Sequence, residues 1–172
     1  MVGFTTEISI QNSKLFSKNL DNLIKQGGDT SIAFELIKDD FLRSNKAQFN
    51  LRGNGQYAPL SKAWKERKKS LLGSEVPILN FMGRLKKSLT EESSNDFIFK
   101  RTRKALILGT KVPYANPLHF GSAKNNLPER PLVFIEPESR NAPSNLKGRA
   151  NRWLKIIETE TIQQGLKVFD GK

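Results

Sequence analysis

The segment from Leu108 to Ile135 constrains the fold more than any other part of the chain. Four prolines and two glycines interrupt it, and each proline removes a backbone donor and disfavours helical geometry at the preceding residue. A strand entering this segment is therefore predicted to end at Gly109. The chain then turns, presents Tyr114 and the only histidine, His119, turns again at Gly121 and re-enters the core at the end of the segment.

Upstream of this segment, hydrophobic periodicity predicts a strand and two helices. Apolar and polar residues alternate over residues 4–10, which is typical of a half-buried strand. Residues 13–27 and 30–49 each carry an apolar stripe at helical spacing. Each segment begins at a capping residue, and the first ends at glycine. The stripes are expected to pack on a sheet, and they consist of Phe16, Leu20, Leu23 and Ile24 in the first helix and Phe34, Ile37, Phe41, Leu42 and Phe49 in the second.

Shorter elements follow. Ser61 is predicted to cap a short helix with Trp64 and Leu71 on its apolar side, and Met82, Leu85 and Leu89 form the apolar side of another. Within the second of these, Gly83 predicts a helix start or close packing, because glycine is costly inside a helix. Residues 97–99 and 105–108 are predicted strands, and residues 144–165 are a predicted helix with a loose tail at 167–172.

This order predicts an α+β fold, a small antiparallel sheet with amphipathic helices packed on one face. Residues 1–172 suit a single domain. Extended loops are expected at about 50–60 and 110–131, and the second is long enough to suggest a functional role or ordering by a neighbour.

The charge is high and uneven. The net charge is +12, and residues 43–104 hold 15 Lys and Arg against 5 Asp and Glu, a local balance of +10. A basic middle indicates an acidic partner, either nucleic acid or an acidic protein surface, although a solubilising surface is also consistent with it. The cations of residues 100–104 fit a ligand site as well as they fit an edge strand protected against pairing.

Catalytic and metal chemistry is not indicated. The chain has no cysteine, one histidine and only scattered carboxylates, so we predict no enzyme activity, no metal and no cofactor. The turn at Asn54-Gly55 lacks the Gly-Lys-Ser/Thr ending of a phosphate-binding loop. His119 is predicted to be a hydrogen-bonded structural residue. No apolar run is long enough to span a membrane, and no signal peptide is expected at the N-terminus.

A nucleic-acid-binding protein is the alternative reading of the charge. Tyr57 and Trp64 lie near the cations of residues 62–69, which is compatible with base stacking. However, Trp64 occupies the apolar side of its predicted helix, which favours core packing. The sequence also contains no zinc-finger spacing, aromatic RNA-binding strand or clear helix-turn-helix.

Four motifs together resemble a known family. They are Gly109-Thr110 with Val112-Pro113-Tyr114-Ala115, His119 and Gly121; Pro128-Glu129-Arg130-Pro131; Gly55-Gln56-Tyr57-Ala58-Pro59-Leu60-Ser61; and Leu79-Asn80-Phe81-Met82-Gly83-Arg84-Leu85. In this order, over roughly residues 50–140, they resemble the phage virion morphogenesis (tail completion) family of Mu-like and related tailed phages. Tyr57 stands where the family usually has Trp, and Met82 where it usually has Thr.

The resemblance implies a structural virion protein, a neck or tail completion component that forms a ring where the tail joins the DNA-filled head. The implied partners are identical subunits in a hexamer or other cyclic ring, and other neck, connector, tail terminator or tail tube proteins. Non-specific contact with genomic DNA is also possible under this reading, and no membrane is involved. The implied location is the neck or tail of the virion, and the host cytoplasm during assembly.

Combined with the charge pattern, the resemblance leads us to predict that basic and aromatic residues contact neighbouring subunits or partner rings. These residues are Lys62, Lys65, Lys68, Lys69, Arg84, Arg101, Arg103, Tyr114, His119, Arg130, Arg149 and Arg152.

Overall fold

A three-stranded antiparallel sheet with helices packed against it forms the framework of the protein. The computed structural model describes residues 5–7, 18, 21–22, 25, 30–51, 57–74, 77–102, 105–133 and 149–170. The element order combines a small sheet with separate helices, which confirms the predicted α+β class.

The sheet consists of β1 (Thr5–Glu7), β2 (Phe97–Arg101) and β3 (Leu106–Thr110), with β3 in the middle. Both pairings are antiparallel, and β2 and β3 form a hairpin. The predicted end of β3 at Gly109 is short by one residue, because Thr110 still pairs with Phe97. The first proline of the segment comes three positions later, so it does not prevent this last pair.

Five α-helices have bounds within the described residues. They are α1 (Thr30–Asn50), α2 (Lys62–Leu72), α3 (Arg84–Thr90), α4 (Ala115–Phe120) and α5 (Arg149–Asp170). The bounds of α1 confirm the prediction for residues 30–49. The predicted loop at 110–131 is not continuous, since it contains α4 and a 3-10 turn at Ala123–Asn125.

The two ends of the chain are described in part. In the predicted first helix, Lys18, Asp21, Asn22 and Lys25 are helical and exposed, and its apolar stripe lies outside the described residues. At the other end, α5 continues to Asp170. The predicted helix end at Gly165 and the loose tail from residue 167 are therefore wrong as far as residue 170, because a single glycine costs only about 1 kcal/mol in a helix.

The core lies between α1, the sheet and α5. In α1 the side chains of Phe34, Ile37 and Phe41 are buried, as the periodicity predicted, and Leu42 packs at their edge. From the other elements, Trp153 of α5 and Leu108 of β3 join the same cluster. Apolar burial of this kind is the main force that holds such a sheet and its helices together.

Helix α2 departs from the prediction. Trp64 is 40% exposed, so its expected core packing is wrong, and Leu71, on the same predicted apolar side, is 59% exposed. Lys68 is buried instead, and its Nζ donates a hydrogen bond to the carbonyl oxygen of Pro77 at 2.8 Å. Likewise Met82, predicted to lie on an apolar helix face, precedes α3 and is 75% exposed.

Gly83 immediately precedes α3, which confirms the predicted helix start. Its φ of +74° lies in the left-handed region, which a glycine adopts without strain. The residue therefore acts as the N-cap of α3 and not as part of the helix interior.

Candidate functional site

The proline-rich segment folds back on itself. The backbones of Ser122 and Leu127 exchange hydrogen bonds of 2.8 and 2.9 Å, and the amide of Arg130 donates to the carbonyl oxygen of Leu118. Gly121 permits this closure with φ +74°, because a Cβ there would lie 3.0 Å from the backbone of Leu127 and Glu129. The segment is therefore a compact unit held by its own backbone contacts.

His119 has a structural role inside this unit. Its Nδ1 accepts a hydrogen bond of 3.0 Å from the backbone amide of Leu132. Burial lowers the pKa of His119 below its usual 6.5, so the imidazole is neutral at neutral pH and keeps this acceptor. The predicted structural role is confirmed, and the side chain is turned towards the chain's own backbone.

The neighbouring segment at Tyr57 is fastened to the same unit. The hydroxyl of Tyr57 donates to the carbonyl oxygen of Pro131 at 2.9 Å, and Gln48 donates to that hydroxyl at 3.0 Å. Arg130 is buried, and its Nε donates to the carbonyl oxygen of Ala58 at 3.2 Å. Burial raises the pKa of Tyr57 to about 12. Tyr57 is thus unavailable for base stacking, and Arg130 does not face a partner.

The cations at the start of α5 also belong to the interior. Asp40 of α1 accepts hydrogen bonds from Arg152 and from the indole of Trp153, the latter at 2.9 Å. Arg149 is fully buried and donates to Asn45 at 3.2 Å. An external acidic partner is therefore not needed to explain these cations, because α1 itself supplies their acceptors.

Burial and charge act in opposite directions on this cluster. Burial alone would raise the pKa of Asp40, but hydrogen bonds from Arg152 and Trp153 outweigh it and lower the pKa. Burial lowers the pKa of Arg149 to about 10, which still leaves the guanidinium charged at neutral pH. The cluster is an internal charge network that joins α1 to α5.

Two further predicted contact residues are engaged in ion pairs. Arg84 makes a two-pronged pair with Asp96 at 2.6 and 2.9 Å, and this contact raises its pKa. Arg101 lies 3.1 Å from Glu35 and so connects β2 to α1. Both pairs are partly exposed, where such contacts contribute little to stability.

The predicted contact residues therefore divide into two groups. Lys68, Arg130 and Arg149 are buried and are corrected to structural residues. Arg84, Arg101 and Arg152 have acceptors within the chain, and His119 accepts a hydrogen bond from the backbone amide of Leu132. Arg103 lies outside the described residues. The remaining members, Lys62, Lys65 and Lys69 of α2 and Tyr114, have exposed side chains.

Sequence reasoning missed a set of exposed apolar side chains on α2 and on the segment that follows it. The rings of Trp64 and Phe81 lie 6.0 Å apart, and the Arg67 guanidinium lies 5.5 Å from the Trp64 ring. Leu71 and Met82 are exposed nearby in the sequence. The available signal was composition, since α2 has too few apolar residues to form a core face.

The described part of the chain contains neither a cluster of metal ligands nor a membrane-spanning helix. Among these residues, no three His, Asp or Glu side chains lie together as metal ligands would. None of the described helices is long and apolar enough to cross a bilayer. The exposed apolar and basic side chains of α2 and its surroundings are therefore taken as the candidate site.

Acid should destabilise the protein through His119. Since the pKa of His119 is lowered from 6.5 on folding, the unfolded chain binds a proton in a range where the folded chain does not. The free energy of unfolding should be unaffected by His119 above pH 6.5 and should fall as the pH drops below it. Urea denaturation at a series of pH values measures this loss.

His119→Asn is the matched variant for this measurement, because its side-chain oxygen accepts a hydrogen bond but does not titrate. It should lack the part of the loss that begins near pH 6.5. Asp40 acts in a separate window, since its pKa is lowered from 3.8 and its contribution disappears only in stronger acid. Identical pH dependence of both proteins from pH 6.5 down to the onset of the Asp40 loss would contradict the role given to His119.

Comparison with known proteins agrees with the motifs. The model of the phage virion morphogenesis family matches residues 11–154. No curated protein and no solved structure is significantly similar to the chain. The matched range covers α1 to α4, the sheet strands β2 and β3, and the part of α5 that carries the buried arginine.

Proposed function

Since the chain belongs to the phage virion morphogenesis family, we propose that it is a neck or tail completion protein of a tailed phage. A role in building the phage particle follows from the family. The finer proposal is a structural protein without catalytic activity that forms a ring at the head–tail junction and is needed to join the tail to the head. Its place would be the neck of the virion, and the host cytoplasm during assembly.

The observation that supports this proposal best is the number of large apolar side chains left at the surface. Trp64, Leu71, Met82 and Phe120 are each at least 40% exposed on a chain with a net charge of +12. Exposed apolar side chains beside charged ones are typical of surfaces that other proteins cover. A subunit of an assembly needs such surfaces, whereas an isolated soluble protein does not.

A ring explains why these side chains occur in separate places. Each subunit of a closed ring presents different surfaces to its two neighbours, and further surfaces to the rings above and below. Tyr114 is the N-cap and Phe120 is the last residue of α4. Both are exposed, and both are far in the sequence from the exposed residues of α2. We propose identical subunits, in a hexamer or another cyclic number, and connector, tail terminator or tail tube proteins as partners.

Loss of the protein should block the joining of heads and tails. In a phage whose copy of this gene is interrupted, electron microscopy should show DNA-filled heads and complete tails that remain separate, and the intact gene supplied from a plasmid should restore joining. Native mass spectrometry should detect a cyclic oligomer of the purified protein or of its complex with a neck protein. Complete, infectious particles without the protein would overturn the proposal.

A nucleic-acid-binding role is the second candidate, and the exposed lysines of α2 favour it. If Lys62, Lys65 and Lys69 meet phosphates, DNA affinity should fall steeply with salt, at about 0.9 in the log–log slope for each phosphate neutralised. Replacing all three with Gln would then remove up to about three units of slope. Sequence-selective binding that the triple variant loses, together with normal head–tail joining, would favour this candidate over the structural one.

A further inference from the structure

The sheet has two outer edges, formed by β1 on one side and β2 on the other. Strand β3 lies between them and pairs with both. No strand of the described residues pairs with the outer edge of β1 or of β2. An outer edge presents a row of backbone amides and carbonyls that can bind a further strand, so proteins cover it, protect it or use it for assembly.

The register of the hairpin identifies the outward-facing backbone groups of β2. Just beyond the ladder, the amide of Thr102 donates to the carbonyl oxygen of Ala105 at 2.8 Å. Hydrogen-bonded and non-bonded pairs alternate along an antiparallel ladder. Lys100 therefore bonds to β3, whereas Phe99 and Arg101 direct their amides and carbonyls away from it. Within the described residues, no hydrogen bond reaches the amide or the carbonyl oxygen of Phe99.

Strand β1 has outward-facing backbone groups of its own. Since Ile107 of β3 bonds to β2, the next residue, Leu108, bonds to Thr6 of β1. Thr5 and Glu7 therefore direct their backbone groups away from the sheet. Both outer strands are antiparallel to β3, so β1 and β2 run in the same direction. The two edges differ, and one edge of a copy is free to pair with the other edge of the next copy.

We infer that the outer edge of β2 binds β1 of a second copy of the chain, so that the sheet continues from subunit to subunit. A contact between two different edges repeats in one direction and closes into a ring when the rotation allows it. Rotation about an axis along the strands keeps their direction, so the new pair is parallel. The inference deepens the proposed function and rests on it for the choice of a second copy. Its affinity comes from main-chain hydrogen bonds, as in other strand additions.

One register satisfies the backbone groups of both edges. When the rows of the sheet continue into the next copy, Phe99 lies beside Thr6 of the partner subunit. In a parallel pair, the amide of Phe99 then donates to the carbonyl oxygen of the partner subunit's Thr5, and its carbonyl oxygen accepts from the amide of the partner subunit's Glu7. The amide of Arg101 donates to the carbonyl oxygen of the partner subunit's Glu7.

The same register brings opposite charges together. Glu7, Ile107 and Lys100 form one row across the sheet, so the continued row places the partner subunit's Glu7 next to Lys100. Lys100 is exposed, and no carboxylate of the described residues forms an ion pair with it. Opposite charges side by side on one face favour the pairing. A second copy of β2 fits less well, because that strand has two cations and no acidic residue.

Two engineered cysteines test the pairing in the full chain, which has no cysteine of its own. In the double variant Glu7→Cys/Lys100→Cys, β3 separates the two positions of one copy by about 10 Å, two strand spacings, which is too far for a disulfide. Between copies the two positions become neighbours. Mild oxidation should therefore give a ladder of linked oligomers that ends at the closed ring, in the concentrated protein or in joined particles. Each single variant and the control pair Glu7→Cys/Lys155→Cys should stay unlinked.

Two further changes separate the backbone from the charge. Arg101→Pro removes an outward amide, whereas Arg101→Ala removes the side chain and its ion pair with Glu35 alone. The two variants should unfold at similar temperatures, because this amide does not bond to β3, but proline should weaken association about tenfold more than alanine. Lys100→Glu should also weaken association in native mass spectrometry, and Glu7→Lys added to it should restore the oligomer. Lys46→Glu, at an exposed position of α1, should leave the oligomer unchanged.

Each other result has a defined meaning. Joined particles that contain the cysteine pair but give no ladder would overturn the edge pairing and leave the proposed function standing. Linked dimers of Lys100→Cys alone would show β2 paired with itself, and a link from Lys100→Cys to another virion protein would show a different occupant; either would overturn the inference. Equal association of Arg101→Pro and Arg101→Ala would also contradict it. Linked rings of a protein that is absent from particles would keep the edge pairing and count against the proposed function.

Discussion

Asp40→Ala should cost about 3–5 kcal/mol of unfolding free energy, because it removes the carboxylate from a buried charge network. Asp40 accepts hydrogen bonds from Arg152, Trp153 and Arg43. Its charge also favours the charged form of the buried Arg149. Without it, the indole loses its acceptor and the buried guanidinium loses its compensating charge. Urea denaturation monitored by circular dichroism measures the loss.

Asp39→Ala is the matched control, since it makes the same chemical change at the adjacent position of α1. Asp39 is exposed, and its loss should cost within about 0.5 kcal/mol. Asp40→Asn separates the two contributions, because it keeps an acceptor for Trp153 but not the charge. Equal stability of the Asp39 and Asp40 variants would show that the network does not hold α1 to α5.

The core helices could be predicted from the sequence because many apolar positions repeat the same period. In α1, Phe34, Ile37 and Phe41 all required one buried face, and the helix has that face and nearly the predicted bounds. The hairpin of β2 and β3 followed equally from short apolar runs around a polar turn. In these elements the errors lie at helix and strand ends, where one pair or one glycine changes little free energy.

The partners of the basic residues could not be predicted from the sequence, because the sequence does not show whether an arginine or lysine faces water or a carboxylate. Arg149 and Arg152 were expected to meet an external partner, yet Asp40 and Asn45 of α1 bind them. Those acceptors lie more than a hundred residues away in the chain. Only the tertiary contact between α1 and α5 brings them together, and no local pattern encodes it.

At the candidate site the prediction was wrong in the opposite sense, because it placed in the core a side chain that is exposed. Trp64 and Leu71 were expected in the core because they share one side of α2, but a stripe of two apolar residues cannot by itself specify burial. Lys68 lies between them on that side and is the buried member. The sequence thus placed Trp64 inside the protein, whereas the structure leaves it 40% exposed.

Phe41→Ala should cost about 3–5 kcal/mol, the range for truncating a fully buried aromatic side chain. Phe41 is 0% exposed and lies 6.4 Å from the Phe97 ring, centroid to centroid. The Arg149 guanidinium lies 5.8 Å from the Phe41 ring. The substitution therefore opens a cavity where α1 meets β2 and α5. It also removes the aromatic ring that lies against the buried Arg149 guanidinium. Thermal and urea unfolding both measure the loss.

Phe120→Ala provides the same change of side chain at a position that is 65% exposed. The rings of Phe120 and His119 lie 4.5 Å apart, centroid to centroid, in an edge-to-face arrangement. The control should therefore cost about 1 kcal/mol or less. Phe41→Leu refills most of the cavity and should recover more than half of the loss. If Phe41→Ala and Phe120→Ala destabilise equally, the contact of α1 with β2 and α5 is not the core of the fold. If Phe41→Leu is as damaging as Phe41→Ala, the aromatic ring beneath Arg149 matters more than the volume it fills.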